Sequence, residues 1–127
     1  MNINLELLQK VINEIEELSI LENKTIERRI IKFNEEYGEF SAEIIKLLGD
    51  TYKPFDLQHL IEEGTDALIV FLSIILKLCK LLDIEFNEFL EMAEIKNQKW
   101  RDKMPHYTND TRLLECNLSV DRIHPNR

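Results

Sequence analysis

Turn-forming and cross-linking residues are scarce in this chain of 127 residues, which has only 3 Gly, 3 Pro and 2 Cys. A sandwich or barrel needs a Gly, Pro, Asn or Asp turn about every ten residues, so an all-β fold is excluded. The two cysteines, Cys79 and Cys116, make neither a disulfide framework nor a zinc spacing. Basic residues are outnumbered, 16 Lys+Arg against 24 Asp+Glu, for a net charge of −8. That balance offers no basic face for duplex nucleic acid, and phosphate chemistry on such a chain calls for a metal cation as go-between. Long apolar runs are missing too. The strongest, Ala67 to Leu82, is interrupted by Lys77 and Lys80, and a membrane span takes about 20 apolar residues. Met1 to Glu6 carry no basic n-region and no apolar h-region, so no signal peptide is visible. The expectation is a cytoplasmic, reduced protein without a membrane partner, in which the sequons at Asn23, Asn109 and Asn117 carry no sugar.

What is present is helix. At 44% hydrophobic residues, one domain of this length closes a core without staples. Leu8, Val11, Ile12, Ile15 and Leu18 recur at helical steps and predict a first helix over 4–21. Thr25 can cap a second over 26–48, whose main apolar stripe reads Ile30, Phe33, Tyr37, Phe40, Ile44 and Leu47, with Gly49 as its stop. A third helix is expected over 56–82, apolar nearly all round beyond Asp66, and a fourth over 85–103, with Phe86, Phe89, Leu90, Ala93 and Trp100 facing in. The predicted fold is all-α, an antiparallel four-helix bundle over 1–105 followed by an irregular tail over 106–127. A third helix this apolar implies that a second subunit completes the bundle.

The chemistry lies in carboxylates. Glu36 and Glu39 share one face of the second helix, with Glu35 and Glu43 beside them; Glu63 and Asp66 share a face of the third. A short loop makes the two helices antiparallel neighbours, so the two pairs can meet as four oxygen ligands. An acidic helix stripe is ordinarily a solvated face. Here, however, the ridge lies between the main stripe and a second line, Ile31, Gly38, Ala42 and Ile45, and Asp66 directly precedes the most apolar part of the chain, where an unpaired carboxylate is costly to bury. Crowded carboxylates raise each other's pKa unless a cation offsets them. Acid-only ligation favours Mg²⁺, with Mn²⁺ as a substitute, over zinc, and no Glu-x-x-His pair suggests a di-iron bundle. The series Asp83, Glu85, Asn87 and Glu94 imitates an EF-hand loop, but Glu88 stands where that loop needs glycine.

The order EExxE (Glu35 to Glu39), then ExxD (Glu63 to Asp66) running into an apolar helix, then a basic last helix, resembles the all-α nucleoside triphosphate pyrophosphohydrolases of the MazG-like superfamily. That superfamily takes in MazG, the dimeric dUTPases, the dCTP pyrophosphatases and phosphoribosyl-ATP pyrophosphohydrolase. The resemblance covers roughly residues 26–105. It implies a MazG-like bundle completed by oligomerisation to a homodimer or homotetramer, and Mg²⁺ on Glu36, Glu39, Glu63 and Asp66. Glu35 matches the first Glu of EExxE, so Glu35 and Glu36 are the catalytic candidates. Lys96, Lys99, Trp100 and Lys103 resemble the closing phosphate-binding segment, with Trp100 and Lys103 departing from some branches. A basic last turn also complements the helix dipole without any ligand. His59, four residues before Glu63, shares the acidic face and can serve as cap or substrate contact.

The implied activity is Mg²⁺-dependent hydrolysis of a nucleoside triphosphate to monophosphate and pyrophosphate, as nucleotide-pool house-cleaning. The alternatives are a non-catalytic, metal-stabilised helical interaction module and a related enzyme acting on another pyrophosphate such as phosphoribosyl-ATP.

Overall fold

A computed structural model describes residues 1–49 and 51–104. Among them the protein is all-α, with four helices and no strand: α1 (Leu5–Glu22), α2 (Ile26–Leu48), α3 (Leu57–Leu82) and α4 (Phe86–Lys103). Pro105, Cys116, the sequons at Asn109 and Asn117 and the expected tail lie outside the described residues. The chain divides into two compact units, Met1–Asp83 and a second that begins at Ile84; each is described by itself.

The helix ends follow from local chemistry. Asn4 caps α1 by accepting the Leu7 amide at 3.0 Å, and Thr25 caps α2 by accepting that of Arg28 at 3.2 Å. Each cap satisfies an amide that has no intrahelical partner. Gly49 closes α2 in the left-handed region, φ 81°, its amide reaching the carbonyls of Ile45 and Lys46. Asp56 caps α3 through the Gln58 amide at 2.9 Å. Asp83, one of the EF-hand look-alikes, closes α3 with φ 54°, and Glu88, another residue of that segment, accepts the Glu85 amide at 2.8 Å to open α4.

In the first unit, α3 is the central helix, packed against both α1 and α2. Contacts between α2 and α3 fix their direction. Glu43 meets His59, Phe40 meets Gly64, Phe33 stacks near Phe71 with ring centroids 5.4 Å apart, and Lys24 just before α2 accepts from Lys77. Descending numbers on α2 meet ascending ones on α3, so the helices are antiparallel. Gly64 lets them come close. A Cβ there would stand 2.9 Å from Cε1 of Phe40, so the ring occupies the space a side chain would fill.

The seam of α2 differs from the expected stripe at two positions, Ile30 and Tyr37. Phe33, Phe40, Ile44 and Leu47 are half-buried as expected. The line beside them is Arg29, Glu36 and Glu43, the only buried residues of α2, whereas Ile30 and Tyr37 are 47% and 57% exposed. The heptad spacing of both lines is what a helix packed along one partner adopts. Arg29 tolerates this burial because its donors are paired. Arg29 donates from Nη2 to the Ser19 carbonyl at 2.7 Å and from Nε to that of Lys24 at 3.3 Å, tying α2 to the end of α1. The remaining core is thin: Ile15, Ala67, Leu76 and Cys79 are its buried apolar members, with Ser19 and Ser73 among them.

The apolar girdle of α3 is not covered on every side by the described residues, since Leu68 and Phe71 are 55% and 46% exposed. In the second unit, no residue of α4 is buried, and Phe89, Leu90 and Trp100, expected to face in, are exposed. Among the described residues no helix is long and apolar enough to cross a membrane.

Candidate metal centre

Steps of three and four along α2 bring Glu36, Glu39 and Glu43 towards α3, which answers with His59 and Glu63. Three of these carboxylates converge. Glu36, Glu39 and Glu63 each offer an oxygen, and all three oxygens lie within 4.8 Å of one another. These are three of the four ligands the sequence suggests. Asp66, one turn further along α3, is exposed and outside the convergent group.

Burial makes the cluster electrostatically demanding. Glu36 is 7% exposed and Glu63 half-buried, and the Oε2 atom of each is enclosed without a hydrogen-bond partner in the described residues. An enclosed, unpartnered polar atom costs about 1–3 kcal/mol, and more when charged. Glu39 is hydrogen-bonded to Glu63, and that bond, with the charge of Glu36 beside it, holds the Glu39 carboxyl above the usual carboxylate range. Two carboxylates sharing a proton are the expected state of such a cluster without a cation.

A lysine partly fills the role of that cation. Lys32, one turn before Glu36, places Nζ 2.8 Å from Glu36 Oε1 and 3.6 Å from Glu35 Oε2. The hydrogen bond to Glu36 raises the Lys32 pKa, helped by the charges of Glu36 and Glu35. This pairing was readable as an i, i+4 spacing. What the spacing could not show is that the acidic partner is buried and the basic one half-exposed. Glu35, the other catalytic candidate, lies exposed at the rim.

One turn beyond the triad, Glu43 is 6% exposed. Its Oε1 accepts from Lys46 Nζ at 2.6 Å and lies 3.8 Å from His59 Nδ1, while Oε2 is enclosed and unpartnered in the described residues. The acidic seam therefore runs beyond the motif. Lys96, Lys99, Trp100 and Lys103 all lie on the exposed surface of α4, in the second unit.

Beside the triad, a cavity of about 730 Å³ opens between α1, α2 and α3. Its walls include Ile15, Ile31 and Leu68, and its charged lining includes Arg28, Lys32 and Glu35. Lys32 and Glu35 thus belong to both the cavity and the rim of the carboxylate cluster.

The donor set is all carboxylate oxygen, which suits a hard divalent cation such as Mg²⁺ or Mn²⁺. The two enclosed, unpartnered oxygens are what such an ion would satisfy, so the residues fit the group. Set against protein-family models, curated proteins and solved structures, the chain matches none of them.

Proposed function

We propose that the protein is a Mg²⁺-dependent nucleoside triphosphate pyrophosphohydrolase of the MazG-like kind, a cytoplasmic enzyme of the nucleotide pool. The observation that carries this reading is the convergence of Glu36, Glu39 and Glu63 within 4.8 Å of one another across α2 and α3. The enclosed Oε2 atoms of Glu36 and Glu63 lend it independent support.

In this reading Glu36, Glu39 and Glu63 hold the ion, on carboxylates presented by two helices rather than by loops. When bound, Mg²⁺ offsets the charge of phosphate oxygens and makes a water nucleophilic near neutral pH. Glu36 is taken up by the triad and Lys32. Glu35, exposed at the rim, is the residue left to accept the proton of the attacking water. The water oxygen bonds to the α phosphorus, the α–β anhydride bond breaks, and pyrophosphate leaves with the bridging oxygen. Uncovered Leu68 and Phe71 on α3 are the surface that a second copy would bury, giving the homodimer or homotetramer of this reading.

The test is pyrophosphate release from each common dNTP and NTP, with and without Mg²⁺, for wild type and Glu39→Gln. Mg²⁺-dependent release that disappears in the variant is the expected result. Release that is indifferent to Mg²⁺ or to the substitution would overturn the assignment.

A further inference from the structure

Among the described residues, Lys32 is the cation placed on the buried member of the triad. Its ammonium holds Glu36 Oε1 at 2.8 Å, while the side chain is 51% exposed and lines the cavity beside the cluster. Glu36 Oε1 is therefore occupied by a monovalent, half-exposed donor, and Oε2 of the same carboxylate is left enclosed and unpartnered in the described residues. One ammonium cannot satisfy three converging carboxylates. A divalent ion on the same oxygens offsets more charge at shorter range and repels the ammonium.

We infer that Lys32 is a resident counter-ion of the carboxylate triad, displaced by a divalent cation, and that the freed ammonium joins Arg28 at the cavity mouth to bind an anionic, polyphosphate-class ligand. The inference rests on the metal-binding part of the reading above and extends it to a residue outside the acidic motifs. Three features support it. Lys32 borders both compartments, so a rotamer change suffices to move its charge from one to the other. Arg28 also lines the cavity, and its guanidinium makes no ion pair among the described residues. Arg29, its neighbour, is committed to the carbonyls of Ser19 and Lys24 and cannot serve. The device couples the two ligands: the anion finds its lysine only after the metal has arrived, and the metal must first evict that lysine.

Calorimetry with Mn²⁺ and Mg²⁺, and then with inorganic pyrophosphate on the metal-loaded protein, tests this on wild type, Lys32→Met and Lys32→Gln. The surface position of Lys32 leaves both variants able to fold, and two side chains of different polarity guard against an artefact of either. Removing the competitor is expected to tighten divalent-cation binding about fivefold, the scale of a half-exposed ion pair. Pyrophosphate binding is expected to need the metal in wild type and to weaken at least about fivefold in both variants. In ammonium-detected NMR, the Lys32 signal is expected to shift when Mg²⁺ is added. Metal binding by wild type that is unchanged in both variants, or pyrophosphate binding that they leave intact, would overturn the role of Lys32 alone. Failure of wild type to bind either cation would overturn the metal centre and Lys32 together.

Discussion

Arg29 Nη2 lies 2.7 Å from the carbonyl oxygen of Ser19, and through that bond the first turn of α2 is tied to the last turn of α1. Both residues are buried, so the carbonyl has no water to fall back on. A hydrogen bond to a charged group contributes about 1.5–3 kcal/mol. Arg29→Met is expected to lower unfolding stability by about 2–3 kcal/mol in urea denaturation. A loss under 0.5 kcal/mol or so would mean that the α1–α2 corner is held by packing instead.

The two helical glycines, one inside each acidic motif, are expected to respond oppositely to alanine. At Gly38 a Cβ meets nothing within 4 Å, so Gly38→Ala should stabilise by about 0.5–1 kcal/mol through helix propensity alone. At Gly64 the same Cβ would stand 2.9 Å from the Phe40 ring. There the propensity gain is offset by a clash that pushes α2 and α3 apart next to Glu63. Gly64→Ala is expected to lower Tm and to weaken Mg²⁺ binding, and calorimetry on both variants compares them directly.

Metal-free protein should lose stability as pH rises out of the acid range. The Glu39 pKa is raised in the fold, by its hydrogen bond to Glu63 and the charge of Glu36. A group raised in the folded state contributes stability below its unfolded pKa, and that contribution is lost as pH climbs through the folded value. Tm measured against pH in chelator is expected to fall across that window. With saturating Mg²⁺ the fall should disappear, because the cation replaces the proton.

Glu39→Gln removes one charge from the triad while keeping a donor towards Glu63. The variant is expected to melt higher than wild type in chelator and to lose its response to Mg²⁺. For wild type, Mg²⁺ at 100 times its Kd adds about 2.7 kcal/mol, or roughly 10–15 °C in a domain near this size. Nucleotide added on top of Mg²⁺ should raise Tm again if the protein binds a triphosphate. A response to Mg²⁺ alone would favour the interaction module over the enzyme.

The helices, the Thr25 cap, the Gly49 stop and the three carboxylates that converge were readable from residue order. Asn4, Thr25 and Asp56 carry side chains that accept amides two or three residues on, and Gly49 tolerates a left-handed turn; these are local properties. Glu36, Glu39 and Glu63 share faces because helical periodicity puts them there. Periodicity could not rank two neighbouring lines on α2. It favoured the apolar one, Ile30 and Tyr37, where the fold buries Arg29, Glu36 and Glu43.

That choice depends on what lies opposite, and what lies opposite is set by long-range packing. The Ser19 carbonyl waits for Arg29, Glu39 meets Glu63 across the helices, and His59 of α3 faces Glu43 of α2. The residue order of this chain prescribes where helices start and stop and which residue types can face one another. Which charged groups are buried, and that Asp66 stays outside the triad while Lys32 borders it, follows only once α1, α2 and α3 are side by side. Desolvation and Coulomb energies depend on separations of a few ångströms between helices, and those separations exist only in the packed fold.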